Sequence, residues 1–159
     1  MGTRGFFYTG KFYLFYNHSD SYPSGLGKTI LHQLLIAIKQ SLLQQWKQKV
    51  LELKTVDSKI SPTNQEVSKL VQYTNLDVST GSSNDWYCLL RKCQGSLIKS
   101  LESGFIMNHV DDDGEPIYEE YGYVINFDQD TFDFYVGVVK VESWKLDDPS
   151  LLNDEIFNY

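Results

Sequence analysis

The period of the apolar positions changes along this chain, and each change marks an element. Between residues 4 and 16 the apolar residues are nearly continuous and aromatic, with Thr9-Gly10 between two runs. Two short aromatic runs around a two-residue Gly turn predict a β-hairpin with both faces at least partly covered. That turn pairs Tyr8 with Lys11, so Arg4 stands opposite Phe15. The chain start then lies at the sheet end that carries His18.

From residue 26 the spacing becomes helical. Leu31, Leu34, Leu35, Ile38, Leu42, Trp46, Val50 and Leu53 fall on one face, which predicts a long amphipathic helix over 27–53, with room for one break. A polar stretch over 55–61 ends it. A second helix starts near Pro62, where Thr63 and Glu66 form a capping-box pattern, and ends near Tyr73. After a Ser- and Gly-rich loop, a third helix is expected over 84–103, with Ser83 as N-cap and Gly104 as C-terminal stop. Trp86, Leu89, Leu90, Cys93, Leu97 and Leu101 share its apolar face, and Gly95 within it marks a close backbone approach.

Period two then returns. Residues 105–110 and 117–127 flank an acidic turn at 111–115, and 131–141 follow the turn Asp128-Gln129-Asp130. Tyr123, Ile125 and Phe127 alternate with polar positions, as do Phe132, Phe134 and Val136, which predicts a half-buried antiparallel meander. Strand pair, helices, then strands spell an α+β fold, a mostly antiparallel sheet with helices packed on its face. Residues 4–16 are expected to join the 117–141 hairpin. A single domain is expected over 1–145, followed by an acidic tail at 146–159 held by Leu151, Ile156 and Phe157.

Composition narrows the function classes. The 159 residues suit one domain, and the formal net charge of −7 argues against nucleic acid as a partner. No apolar stretch nears the roughly 20 residues that span a membrane. The start MGTRGF has neither a signal-peptide core nor the Ser or Thr that myristoylation needs where Phe6 stands. The expectation is a cytoplasmic protein without a membrane partner. Cys88 and Cys93 are wrongly spaced for a zinc knuckle and are expected as buried thiols. The Asn17-His18-Ser19 sequon is then a chance match.

The densest polar chemistry lies at residues 17–22, between the hairpin and the first helix. His18 beside Asp20 can serve as a base, and Ser21 or Tyr22 as nucleophile or acid. His18, Asp20 and Ser21 are therefore the catalytic candidates. Arg4, Asn17, His18, Asp20 and Tyr22 are the ligand-binding candidates, with Arg4 available to hold Asp20 or an anion. The competing reading is structural: Asn17 and Asp20 shape turns, Ser21 caps, and Pro23 with Gly25 steers the chain into the helix. Residues 25–29, GLGKT, resemble the end of a phosphate-binding loop, but Tyr22 replaces the first glycine. Residues 109–120 place Asp111, Asp113, Gly114 and Glu120 as a calcium loop would, but His109 fails the first position. No metal and no cofactor are expected.

GTRG at 2–5, YNHSDSYPSGLG at 16–27, DWYCLLRKCQG at 85–95 and EYGYVINFDQDTFDFYVG at 120–137 resemble a family of proteins without an assigned activity, found in fungal, viral and bacterial genomes. That resemblance spans most of the chain and implies one intact domain. A second likeness covers under thirty residues. Asp20, Ser21 and Gly25, after an N-terminal hairpin, are similar to the Arg-Gly-x-Asp-Ser-x-Gly element of class II glutamine amidotransferases. It implies an Ntn-hydrolase-like fold and a degenerate amide-hydrolase site, with Gly2 where that family carries its nucleophilic cysteine. Two functions thus follow from the sequence. One is a domain that binds a small polar or anionic ligand at the 17–22 loop. The other is a non-enzymatic protein that recruits a protein partner through aromatic and acidic surfaces.

Overall fold

The computed structural model describes residues 1–18, 20–118 and 120–157. The aromatic runs form the hairpin β1 (Gly2–Tyr8) and β2 (Lys11–Asn17), with Tyr8 opposite Lys11 and Arg4 opposite Phe15. The long helical segment breaks once. Helix α1 (Lys28–Lys39) and helix α2 (Leu43–Glu52) are separated at Ser41, whose φ is 57°. A π turn, Pro23–Gly27, precedes α1. A two-residue strand β3 (Lys54–Thr55) follows, then α3 (Asn64–Lys69), where the Thr63 and Glu66 capping box is complete.

The third helix departs from expectation. It is two pieces, α4 (Trp86–Leu89) and α5 (Leu97–Ser103), joined by the 3-10 turn Arg91–Cys93. The break falls at Gly95, whose φ of 84° suits a residue without a Cβ. Asp85, not Ser83, caps α4 by accepting from the Tyr87 N–H, while Gly104 ends α5 as expected.

The β region is also cut differently. Of residues 105–110, only β4 (Phe105–Ile106) is a strand, and it pairs parallel with β3. The meander is β5 (Tyr121–Asn126), β6 (Thr131–Val136) and β7 (Val139–Lys145). The expected single run 131–141 is therefore a turn and two strands, because Gly137 takes a φ of 60° and folds the chain back.

The main sheet has the order β2-β1-β5-β6-β7. Every neighbouring pair is antiparallel except β1 with β5, which run parallel. Phe6, Tyr13, Phe15, Tyr123, Ile125, Phe132 and Phe134 line one face and pack on α1, α2 and α5. Residues beyond 145 are part of this core: Leu151 and Phe157 are fully buried in it, and the Phe157 ring meets those of Tyr123, Phe132, Phe134 and Trp144 edge-on. A second, smaller cluster of Leu70, Tyr73, Trp86, Leu89 and Cys93 lies beside the first. The other sheet face carries Leu14, Val124 and Tyr118. No described helix is long and apolar enough to cross a membrane.

Candidate functional site

The seam between the two apolar clusters is not filled. A cavity of about 320 Å³ lies there, with Phe15 from the main core on one side and Leu90, Cys93, Phe105 and Met107 on the other. Tyr16, Tyr87, Gln94, Ser100 and His109 complete its lining, and Arg4 lies in the wall. Two pieces of local structure hold it open. The 3-10 turn Arg91–Cys93 swings over the hairpin because Gly95 ends the helical run. Opposite, residues 107–109 run along the outer edge of β2. Asn108 Oδ1 accepts from the Leu14 N–H at 2.8 Å, Asn108 Nδ2 donates to the Phe12 carbonyl at 2.9 Å, and the His109 N–H donates to the Leu14 carbonyl at 2.8 Å. That clamp fixes Met107 and His109 at the cavity, and the His109 ring lies 5.5 Å from Tyr16.

Arg4 is the unusual residue. Strand parity puts it on the helix-facing side with Phe6, opposite Phe15 and Tyr123, and it is 1 % exposed. Its guanidinium donates to the carbonyls of Phe15 and Tyr16 at 3.3 and 3.0 Å, to the Cys93 carbonyl at 2.7 Å and to Ser100 Oγ at 3.1 Å. It also lies 5.6 Å from the Phe15 ring centre. All these acceptors are neutral. They satisfy hydrogen bonds without cancelling the charge, and an uncancelled buried charge is costly. Among the described residues no carboxylate pairs with it, and its Nε has no hydrogen-bond partner. Burial lowers its pKa to about 10, which leaves it charged at neutral pH.

The other sequence candidates are dispersed. Asn17 and Ser21 are buried and tied to each other, Asn17 Nδ2 donating to Ser21 Oγ at 3.3 Å. The Tyr123 hydroxyl donates to the Ser21 carbonyl at 2.7 Å. His18 is exposed; its N–H donates to Gln94 Oε1 at 2.8 Å and its ring meets the Tyr16 hydroxyl at 3.3 Å. The Asp20 carboxylate lies against Gly25, with the residue at a φ of 47°. Tyr22 is exposed and leans on the Tyr121 ring. Arg4 and this loop thus share a sheet end but not a concavity: none of Asn17, His18, Asp20, Ser21 or Tyr22 lines the Arg4 cavity. Ser19 lies outside the described residues.

The two motif-like stretches are accounted for by packing. Gly27 sits under Tyr123 and Phe157, where a Cβ would come within 2.9 Å of the tyrosine ring, so the 25–29 segment is a packed helix start. In the acidic turn, Asp111 Oδ1 accepts from the N–H groups of Asp113 and Glu115, each at 2.9 Å. Among the described residues no group of three His, Cys, Asp or Glu could hold a metal ion. Cys88 and Cys93 are buried free thiols, and burial pushes Cys93 up to about 11.

Sequence reasoning named Arg4 but missed Tyr87, Gln94, Phe105, Met107 and His109. One signal was available. Arg4 has the strand parity of Phe6, so a guanidinium was bound for the core. Known protein families, curated proteins and solved structures give no match to this chain.

Proposed function

We propose that this protein binds a small molecule carrying a carboxylate. The acid meets Arg4, and the apolar body lies against Phe15, Leu90, Phe105 and Met107. The observation that carries this reading is the buried Arg4, charged, facing only neutral acceptors, with an unbonded Nε–H, in the lining of an apolar cavity. A carboxylate would supply the missing countercharge and accept a charge-assisted hydrogen bond. Mostly apolar walls with a few convergent polar groups are the usual make-up of small-ligand sites.

The amide-hydrolase version of this function has less support. Ser21 is buried and bonded to Asn17, and His18 turns its ring to Tyr16. The partner-recruiting alternative calls for exposed aromatic and acidic surfaces. Among the described residues, Tyr22 is the one aromatic side chain that stands well out into solvent.

The test is a titration with hexanoate and benzoate against their amides, hexanamide and benzamide. The acids should bind saturably and the amides should not. Leu90→Trp, which narrows the cavity and leaves Arg4 itself unchanged, should weaken acid binding severalfold or more. Arg4→Met should remove the preference for the acids. Equal behaviour of acids and amides, or acid binding unaffected by Leu90→Trp, overturns the proposal.

A further inference from the structure

We infer that the ligand carries a second acidic group, taken by Arg91 in an adjoining cavity. This rests on the Arg4 reading above. A second space, about 410 Å³, is lined by His18, Val78, Ser79 and Arg91, and it shares Tyr16 and Tyr87 with the first. The two tyrosines therefore border both spaces. Arg91, which is half-buried, shares one feature with Arg4: its Nε is buried and has no hydrogen-bond partner among the described residues.

One turn holds both cations. Arg91 begins the 3-10 segment that ends at Cys93, and the Cys93 carbonyl is the shortest acceptor of Arg4. A 3-10 segment rises roughly 2 Å per residue, so the two anchor points are close and fixed relative to each other. The polar neighbours of the outer space leave Arg91 its role. The Ser79 hydroxyl donates to Asp85, whose carboxylate also takes the Thr80 hydroxyl and the Tyr87 N–H. Asp85 is thus engaged as a helix cap. His18 is held by its main chain to Gln94, at the boundary of the two spaces. Two guanidinium groups on either side of an aromatic wall fit a short chain with an acid at each end. The apolar link would cross between Tyr16 and Tyr87. Such a ligand engages the second cation intramolecularly once the first is bound, which multiplies affinity without enlarging either contact.

The experiment compares hexanoate with glutarate, adipate and suberate on the wild type and on Arg91→Gln. NMR follows the Nε–H signals of Arg4 and Arg91. The best diacid should bind about tenfold or more tighter than hexanoate. Arg91→Gln should erase that gain and leave hexanoate affinity unchanged, and the Arg91 signal should move with the diacids only. If hexanoate binds and no diacid improves on it, the second subsite is wrong while the Arg4 reading stands. A diacid gain that survives Arg91→Gln also overturns this assignment. If neither monoacid nor diacid binds, both readings fall together.

Discussion

Tyr123, in the middle of the sheet, donates its hydroxyl to the carbonyl of Ser21 at 2.7 Å. Both residues are buried. The bond ties the loop after β2 to the strand β5, and it makes that loop a clasp at the sheet end. Tyr123→Phe keeps the ring, which stacks on Phe134 and meets Phe157 edge-on, and strands a buried carbonyl. It should cost about 1–3 kcal/mol by denaturant titration. Carboxylate binding at Arg4 should be unchanged, because the loop lies outside that cavity. Loss of binding without loss of stability would place the ligand at the loop instead.

Phe157 packs edge-on against Tyr123, Phe132, Phe134 and Trp144 with no exposed surface. Phe157→Ala should destabilise by roughly 3–5 kcal/mol. A melting curve indistinguishable from wild type would show that the segment after β7 does not hold the core.

The arginine assignment has a pH signature. Burial sets Arg4 near a pKa of about 10. Carboxylate affinity at that group should be level through neutral pH and fall as pH passes about 10. A site that depended on a histidine cation would lose affinity near the ordinary value of about 6.5. Calorimetric titrations across pH separate the two, and a loss near neutrality would remove Arg4 as the charge that binds the acid.

Glu66 supplies a pH prediction for stability. The Thr63 N–H bond to its carboxylate comes first among the causes that hold it below the usual carboxylate range, and the Lys54 ammonium adds to it. The folded value is depressed, so the contribution is present above the unfolded value and is lost as pH falls through the folded one. Stability curves of wild type and Glu66→Gln should therefore converge in acid and separate toward neutral pH. Parallel curves at all pH values would remove the carboxylate from the cap's energetics.

Local features were the most legible in the sequence. The register of the first hairpin, the Thr63 and Glu66 cap and the Gly104 stop are each set by a few adjacent residues, and the structure has all three. What depended on distant partners was harder. A helical apolar pattern runs through Gly95, and the bonds that the interrupted segment makes, from Arg4 to the Cys93 carbonyl and from the His18 N–H to Gln94, come from residues far away in the chain. Gly137 splits a run of β-formers that alternate equally well on either side of it. The cavity was the least legible, since its walls come from β1, β2, the 86–94 region, α5 and 105–109, stretches far apart in the chain. Arg4 was paired in sequence terms with the polar loop because both lie at one sheet end. Its parity with Phe6 sends it to the helix face instead.

The parallel pairing of β1 with β5 has a consequence for how the chain assembles. β1 finds β2 across a two-residue turn but meets β5 only after more than a hundred further residues, as the pairing of Gly2 with Tyr121 records. During synthesis the β1 edge of the first hairpin, rich in Phe and Tyr, therefore stays unpaired until β5 has emerged. Helices α1 and α2 can cover its face in that interval, but they cannot satisfy its N–H and C=O groups. An open aromatic edge is a template for pairing with another chain. The most vulnerable interval for this protein is thus the one between the synthesis of β2 and that of β5, when a future interior strand of the sheet is still its border.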